Sequence, residues 1–284
     1  MSSTLRLAFV TDIEAGGRKK NRKGKNIAYG DKALKLVDKF VAACNRKRLD
    51  CVVDLGDRVA NDNADSDFAH IRNLSRCFNR LNAPFYAVMG NHDLVHLSRR
   101  DNNKHLGCPA HSHSKDIGDF HIVVFSPNLV FDKDGKRYIA DRDLTWLEND
   151  LRNADKPTVI ATHIGLDRDF QHASSDEADG PAYRLYYKNA AKARDIIAQS
   201  GKVVLCMAGH RHTNNATAEN GVHYITLQSL VQAQEGYRTR SPYGAHAFVD
   251  ITMHDGAETG EITYKLEGKY KRRHIPHDLP VPAA

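Results

Sequence analysis

Six short runs of apolar and β-branched residues, Leu5 to Val10, Cys51 to Leu55, Phe85 to Met89, Ile122 to Phe125, Thr158 to Ala161 and Val203 to Ala208, alternate with stretches that place apolar residues at helical spacing. Strands separated by helices pair most readily in parallel, because a parallel neighbour needs a crossover and a helix supplies one. The helical stretches are residues 29 to 47, 67 to 81, 141 to 153 and 189 to 200. An α/β fold is therefore expected. With 284 residues, 41% of them hydrophobic, the chain can bury a full core, and residues 1 to 284 are expected to form one domain. After Asn220 the rhythm changes to "GVHYITLQSL", "GAHAFVDITMH" and "GEITYKLEG", shorter runs set off by glycine, which suits antiparallel strands completing a sheet.

Five of these strands deliver a polar residue at the carboxyl end, where open α/β sheets gather their ligands. Leu5 to Val10 runs into Asp12 and Glu14; Cys51 to Leu55 into Asp57; Phe85 to Met89 into Asn91, His92 and Asp93; Thr158 to Ala161 into His163; Val203 to Ala208 into His210 and His212. A single histidine after a strand is ordinarily structural, but five coincident strand ends are not. Gly56, Gly90 and Gly209 each precede a key residue, which lets the backbone turn sharply and come close to a bound ion or phosphate. Oxygen donors mixed with imidazoles, with no cysteine, favour Mn, Fe or Zn. The donors are too many for one ion, and a shared carboxylate can hold two at about 3.5 to 4 Å. Such a pair acidifies water, binds phosphate oxygens and stabilises a five-coordinate transition state, so the expected reaction is phosphoester hydrolysis by attack of hydroxide generated there.

The remaining composition bears on setting and partners. The formal charge of +6 is uneven: residues 18 to 25 read "RKKNRKGK" and residues 269 to 273 read "KYKRR". Such runs are commonly solvated loops or anion contacts; no zinc finger, RNP motif or helix-turn-helix accompanies them, so nucleic-acid binding is unsupported. Five widely spaced cysteines without a CxxC pair argue against a disulfide framework or zinc knuckle. They read as reduced thiols. No charged start followed by a long apolar run opens the chain, and no run is long enough to cross a bilayer, so a cytoplasmic, membrane-free protein is expected. An oligomer through the C-terminal strands is compatible with the sequence.

The series Asp12, "GD" with Asp57, "GNHD", a lone His163 and "GHRH" resembles, in order and spacing, the calcineurin-like metallophosphoesterase superfamily over roughly residues 5 to 215. The resemblance implies a four-layer α-β-β-α sandwich of two mixed sheets flanked by helices, with a dinuclear site on loops at one sheet edge. By matching positions it implies a first metal on Asp12, Asp57 and His212, a second on Asn91, His163 and His210, and Asp57 bridging both. His92 would protonate the leaving oxygen or donate to the phosphate, with Asp93 orienting it.

Two departures stand out. The usual DxH is "DIE" here, putting Glu14 where an imidazole would bind, so that a harder ion such as Mn or Mg is favoured over Fe or Zn. "GDRVAN" lacks the acid of GDxxD: Ala60 stands there, with Asn61 and Asp62 next to it and unassigned. The nearest branch in general look is the manganese-dependent ADP-ribose/CDP-alcohol diphosphatases, which also replace the DxH histidine and follow it with a long basic segment. That likeness implies a small phosphorylated, often nucleotidyl substrate with a phosphodiester or diphosphate bond, and Arg18, Lys19 and Lys20 as phosphate contacts. A phosphomonoesterase with the same metal core is the alternative. "HLGCPAHSHS" (105 to 114), with His105, His111 and His113, reads as a surface loop, and "YRLYY" (183 to 187) as either an aromatic pocket wall or helix packing. The tail from about residue 274 is expected to be flexible.

Overall fold

The structure, a computed structural model, describes residues 2 to 20, 24, 26 to 168, 186 to 232, 242, 244 to 254 and 260 to 268, and the backbone of 278 to 281. In chain order the elements are β1 (Ser2–Val10), β2 (Arg18–Lys20), β3 (Asn26–Tyr29), α1 (Ala33–Asn45), β4 (Cys51–Asp54), α2 (Ala64–Phe78), β5 (Phe85–Ala87), α3 (Arg99–Leu106), β6 (His113–Ile117) and β7 (Phe120–Phe125). There follow β8 (Val130–Phe131), β9 (Arg137–Tyr138), α4 (Asp141–Asn153), β10 (Thr158–Thr162), α5 (Ala190–Ser200), β11 (Val203–Ala208), β12 (Asn215–Glu219), β13 (Val222–Thr226), β14 (His246–His254), β15 (Gly260–Glu267) and β16 (Asp278–Val281).

Two mixed six-stranded sheets result, in the orders β16-β15-β14-β1-β4-β5 and β12-β13-β11-β10-β7-β6. Alternation along the strands sorts the core into three layers. Leu5, Leu7 and Phe9 of β1 and Cys51 and Val53 of β4 meet Ile122, Val124, Val159, Ala161, Leu205 and Met207 of the second sheet. Ala8, Val10 and Val52, one residue out of phase, face Val37, Phe40, Ile71 and Leu74 of α1 and α2. The second sheet turns Val123, Phe125, Ile160 and Cys206 toward Leu144, Leu147 and Ile197 of α4 and α5. Because both faces of the central strands are covered, they read as continuous apolar runs rather than alternating ones. This is the helix-sheet-sheet-helix sandwich. All five cysteines are buried and unpaired.

The chain departs from the sequence expectations at a few places. The C-terminal runs do not complete one sheet: β13 joins the second sheet parallel to β11, while β14 joins the first antiparallel to β1 and β15 pairs antiparallel with β14. Helix α1 begins at Ala33 because Asn26–Tyr29 pairs with Arg18–Lys20 in a two-stranded ribbon, followed by a short 3-10 turn. Helix α3 lies between the "GNHD" turn and β6, where its polar sequence hid it; a Ser98–Asp101 capping box starts it and left-handed Gly107 ends it. His105 lies in the last turn of that helix and His113 starts β6, so the histidine-rich stretch is not a single loop. Residues 183 to 185 of "YRLYY" lie outside the described residues, while Tyr186 and Tyr187 pack with the outer core of the second sheet. The run 269 to 273, the tail from 274 to 277, and 21 to 23 and 25 of the basic segment also lie outside the described residues. Among the described residues, no helix is long and apolar enough to cross a membrane.

Candidate metal centre

The carboxyl ends of β1 and β4 in one sheet and of β10 and β11 in the other open on the same edge of the sandwich, and the backbone there is unusual. Asp12, Glu14, Asp57, Asn61, His210 and His212 all carry positive φ, between 38° and 68°; among the described non-glycine residues only Asn220 shares it. Left-handed backbone costs a residue with a Cβ about 1 kcal/mol or more, so six such residues in one place mark a site held by its surroundings. Hydrogen bonds supply that support. Asp12 N donates to Gly56 O (2.9 Å), Glu14 N to Asp57 O (2.9 Å) and Ala15 N to Arg58 O (2.8 Å), continuing the β1–β4 pairing beyond the strands.

Asp12 joins the two sheets. Its Oδ2 accepts from Thr11 Oγ1 (2.7 Å) and from His210 N (2.9 Å), and its Oδ1 lies 3.1 Å from His212 Nε2. Asp57 is fixed from the other side, its Oδ1 accepting from His92 N (2.7 Å) while Oδ2 lies 3.1 Å from His163 Nε2. His163 Nδ1 donates to Leu55 O (2.9 Å), a bond that sets the tautomer and leaves Nε2 as the free donor atom. His210 Nδ1 lies 3.2 Å from that Nε2. Asp57, His163 and His210 can thus offer ligand atoms within 4.8 Å of one another. Asn91 Oδ1 is buried without a hydrogen-bond partner, an arrangement that is costly unless something electropositive meets it.

The electrostatics show how strongly the cluster attracts positive charge. Burial opposes ionisation of Asp57, yet the imidazoles of His163 and His92 outweigh it and hold the carboxyl far below its ordinary range. Burial likewise resists charge on His163 and His212, but Asp57 and Asp12 respectively raise them to about 9. His210 goes the other way, lowered to about 3 by burial, by His163 and by Arg137. Two carboxylates, three imidazoles and one orphaned amide oxygen make a donor set that fits two divalent ions of borderline character.

Close backbone packing leaves the glycines no room for a side chain. A Cβ on Gly90 would sit 2.1 Å from Asp57 Oδ1, and one on Gly209 1.9 Å from Thr11 Oγ1. The two turns are tied by Asp93, and here the structure corrects its expected role. Its carboxylate accepts from Asp57 N (2.9 Å), Arg58 N (2.7 Å), Gly90 N (2.9 Å) and Arg58 Nη2 (2.7 Å). It therefore positions Asp57. The imidazole of His92 is instead held by Asn61 Oδ1, 3.0 Å from Nδ1, with Nε2 facing Asp57 Oδ2 at 3.9 Å. Left-handed Asn61, one place beyond the missing acid of the "GD" motif, takes the orienting part; asparagine's tolerance of positive φ was the signal available. Asp62 accepts from Gly17 N (2.8 Å).

Glu14 is 3% exposed, and its Oε1 accepts from Lys19 Nζ at 2.8 Å, while burial opposes and Glu14 outweighs in raising the lysine. The DIE departure thus comes with a cation of its own. Arg18 pairs with exposed Asp31 at 2.9 Å, and Lys20 is exposed on the ribbon. Two residues that sequence reasoning missed complete the neighbourhood. Arg58 is fully buried and bridges Asp54 (3.1 Å) and Asp93 (2.7 Å), and burial pushes the Asp54 carboxyl up to about 6. Arg137 Nη1 stands 3.1 Å from His210 Nε2.

Comparison with known proteins agrees with this geometry. A family model described as calcineurin-like phosphoesterase matches residues 5–214. No curated protein matches in sequence. Among solved structures, a dimetal phosphatase from Danio rerio superposes with a TM-score of 0.73 at 14% identity over 99% of each chain. A purple acid phosphatase from yellow lupin gives 0.59 at 15% identity over 99% of this chain and 54% of that one. An NAD nucleotidase from Haemophilus influenzae gives 0.52 at 12% identity over 94% and 50%. The chain spans about half the length of the latter two, and at these identities the likeness is one of fold. Membership implies a pair of divalent cations and a small phosphorylated substrate. The chain belongs to the calcineurin-like phosphoesterase family, whose members are metal-dependent phosphoesterases.

Proposed function

We propose that this phosphohydrolase cleaves phosphodiester or diphosphate bonds in a small, nucleotidyl substrate, with manganese as its preferred metal. The observation that carries the reading is the convergence of Asp12, Asp57, His163, His210 and His212, with His92 beside them and the buried, unpartnered Asn91 oxygen in the adjoining turn. Asp12, Asp57 and His212 would hold the first ion, with Glu14 near it; Asn91, His163 and His210 would hold the second, and Asp57 would serve both. When bound, the pair supplies Lewis acidity toward water and phosphate oxygens. The chain's own residues do the rest. Asn61 fixes Nδ1 of His92, so a proton carried on Nε2 faces the centre and can pass to a leaving oxygen. Asp93 and Arg58 keep Asp57 in place, and Thr11 keeps Asp12.

The diphosphatase branch is favoured by the replaced DxH histidine and the basic segment after it. Phosphatases among the fold relatives favour the alternative, a phosphomonoesterase with the same core. Metal-stripped protein reloaded with Mn decides between them when offered a bis-aryl phosphate, the aryl monophosphate and ADP-ribose, beside His210→Ala. Faster turnover of the diester or ADP-ribose, lost in the variant, supports the proposal. Preference for the monoester supports the alternative, and no turnover of any of the three refutes both.

A further inference from the structure

Beside the metal centre lies a cleft of about 530 Å³ lined by Asn91, Leu94, Val95, Arg99, Asn128, Leu129, Phe131 and Arg137. It starts at Asn91 and runs between the turn after β5 and the β8–β9 hairpin. Its volume falls in the range of small-molecule sites, about 300 to 1,000 Å³. Val95 and Phe131, 53% and 52% exposed, are the large apolar side chains that the described residues leave in solvent, and both line this cleft. Scattered apolar exposure needs no explanation, but both instances in one cleft next to a reaction centre do.

We propose that this cleft is the subsite for a planar aromatic group carried on the phosphate, with Phe131 and Val95 covering the ring and Arg137 meeting the phosphate side; the inference rests on the phosphohydrolase reading above. Arg137 is placed for that contact, being 3.1 Å from His210 Nε2 and on the same hairpin as Phe131. The hairpin is fixed before any ligand arrives. Asp132 N donates to Lys136 O (2.9 Å) across its turn, and Lys188 N donates to Arg137 O (2.9 Å). A ring rather than an alkyl chain suits the lining because guanidinium planes and an aromatic edge reward a π face, whereas a chain gains only burial. Arg99 spends its edge on Ala110 O, Ser126 Oγ and Pro127 O, which holds it as a fixed part of the wall.

Calorimetric titration of Mn-loaded protein with methyl-, hexyl- and phenylphosphonate tests this, since their carbon–phosphorus bonds resist hydrolysis. Phenylphosphonate is expected to bind about tenfold tighter than methylphosphonate, with hexylphosphonate between them. In a Phe131→Ala, Val95→Ser double variant, both sites being surface positions, the phenyl-to-methyl ratio should fall to threefold or less. Equal affinities in the wild type, an undiminished ratio in the variant, a hexyl group that matches phenyl, or no binding of any phosphonate overturns the subsite. Turnover of bis(para-nitrophenyl) phosphate by the same wild-type preparation separates the two readings. Turnover without a ring preference removes the subsite alone, and a Phe131-dependent ring preference without turnover of any ester removes the phosphohydrolase reading alone.

Discussion

Asn91 has a buried oxygen with no partner, and Asn61 has one committed to His92. Their substitutions should therefore part ways. Asn91→Ala is expected to lower bound Mn from two ions per chain to one, read by elemental analysis, and to abolish turnover. Asn61→Ala should leave metal content intact and slow esters with poor leaving groups by about 10- to 100-fold while sparing activated aryl esters, because it loosens only His92, the proposed general acid. Equal losses for both leaving groups would assign Asn61 to packing. Lys19 gives a third contrast at this scale. It neutralises the buried Glu14, so Lys19→Met should destabilise the metal-free protein and enlarge the rise in melting temperature on adding Mn. An unchanged rise would show that Glu14 does not face the first ion.

Between elements, Arg58 is the connection with most at stake. It ties the loop after β4 to the turn after β5 through two buried carboxylates, and removing it strands both of them. Arg58→Ala is expected to cost about 3 to 5 kcal/mol in urea unfolding, and Arg58→Lys to recover only part, since one ammonium cannot copy the fork. The strands and the polar residues at their ends were legible because each is written in a few adjacent residues: an apolar run, then a donor, with a glycine between them at three of the five strand ends. Partner choice was not. Nothing local in "GVHYITLQSL" says that β13 lies parallel to β11 in the second sheet rather than beside β14 in the first. Helix α3 lacks an apolar stripe and went unread; its Ser98–Asp101 capping box and Gly107 were the signals present. Arg58 and Arg137 were invisible for the opposite reason, since charge in a loop reads as surface and burial is set by what packs over it from far along the chain.

Across the whole molecule the proposed metal ligands come from both sheets, so bound ions would staple one to the other. At a Mn concentration about 100 times Kd, each site should add about 2.7 kcal/mol of stability, read as a rise in Tm that EDTA reverses. A pH-sensitive clamp sits at the far side of the second sheet. His121 lies between Asp150 (3.0 Å) and Asp116 (2.7 Å), and Lys156 also bonds Asp116. The Asp150 bond, against burial and with help from Asp116, raises His121 above its ordinary value. A histidine raised on folding contributes fully below its unfolded pKa of about 6.5 and loses that contribution as pH climbs through the folded value. Melting curves of wild type and His121→Gln should differ most below about pH 6.5 and converge as pH rises through the raised folded value; a gap that stays constant would remove the ion pairs as its cause.

The left-handed backbone at the metal centre sets fold and activity against each other under mutation. Glycine adopts positive φ freely, so His212→Gly should melt higher than His212→Ala in the metal-free state by the equivalent of about 1 kcal/mol, although each loses the same imidazole. Alanine scanning here therefore reports conformational strain as well as ligand loss. Selection for thermal tolerance alone, with no demand for turnover, would drift toward glycine at positions 210 and 212 and dismantle the catalytic centre before it touched the sheets.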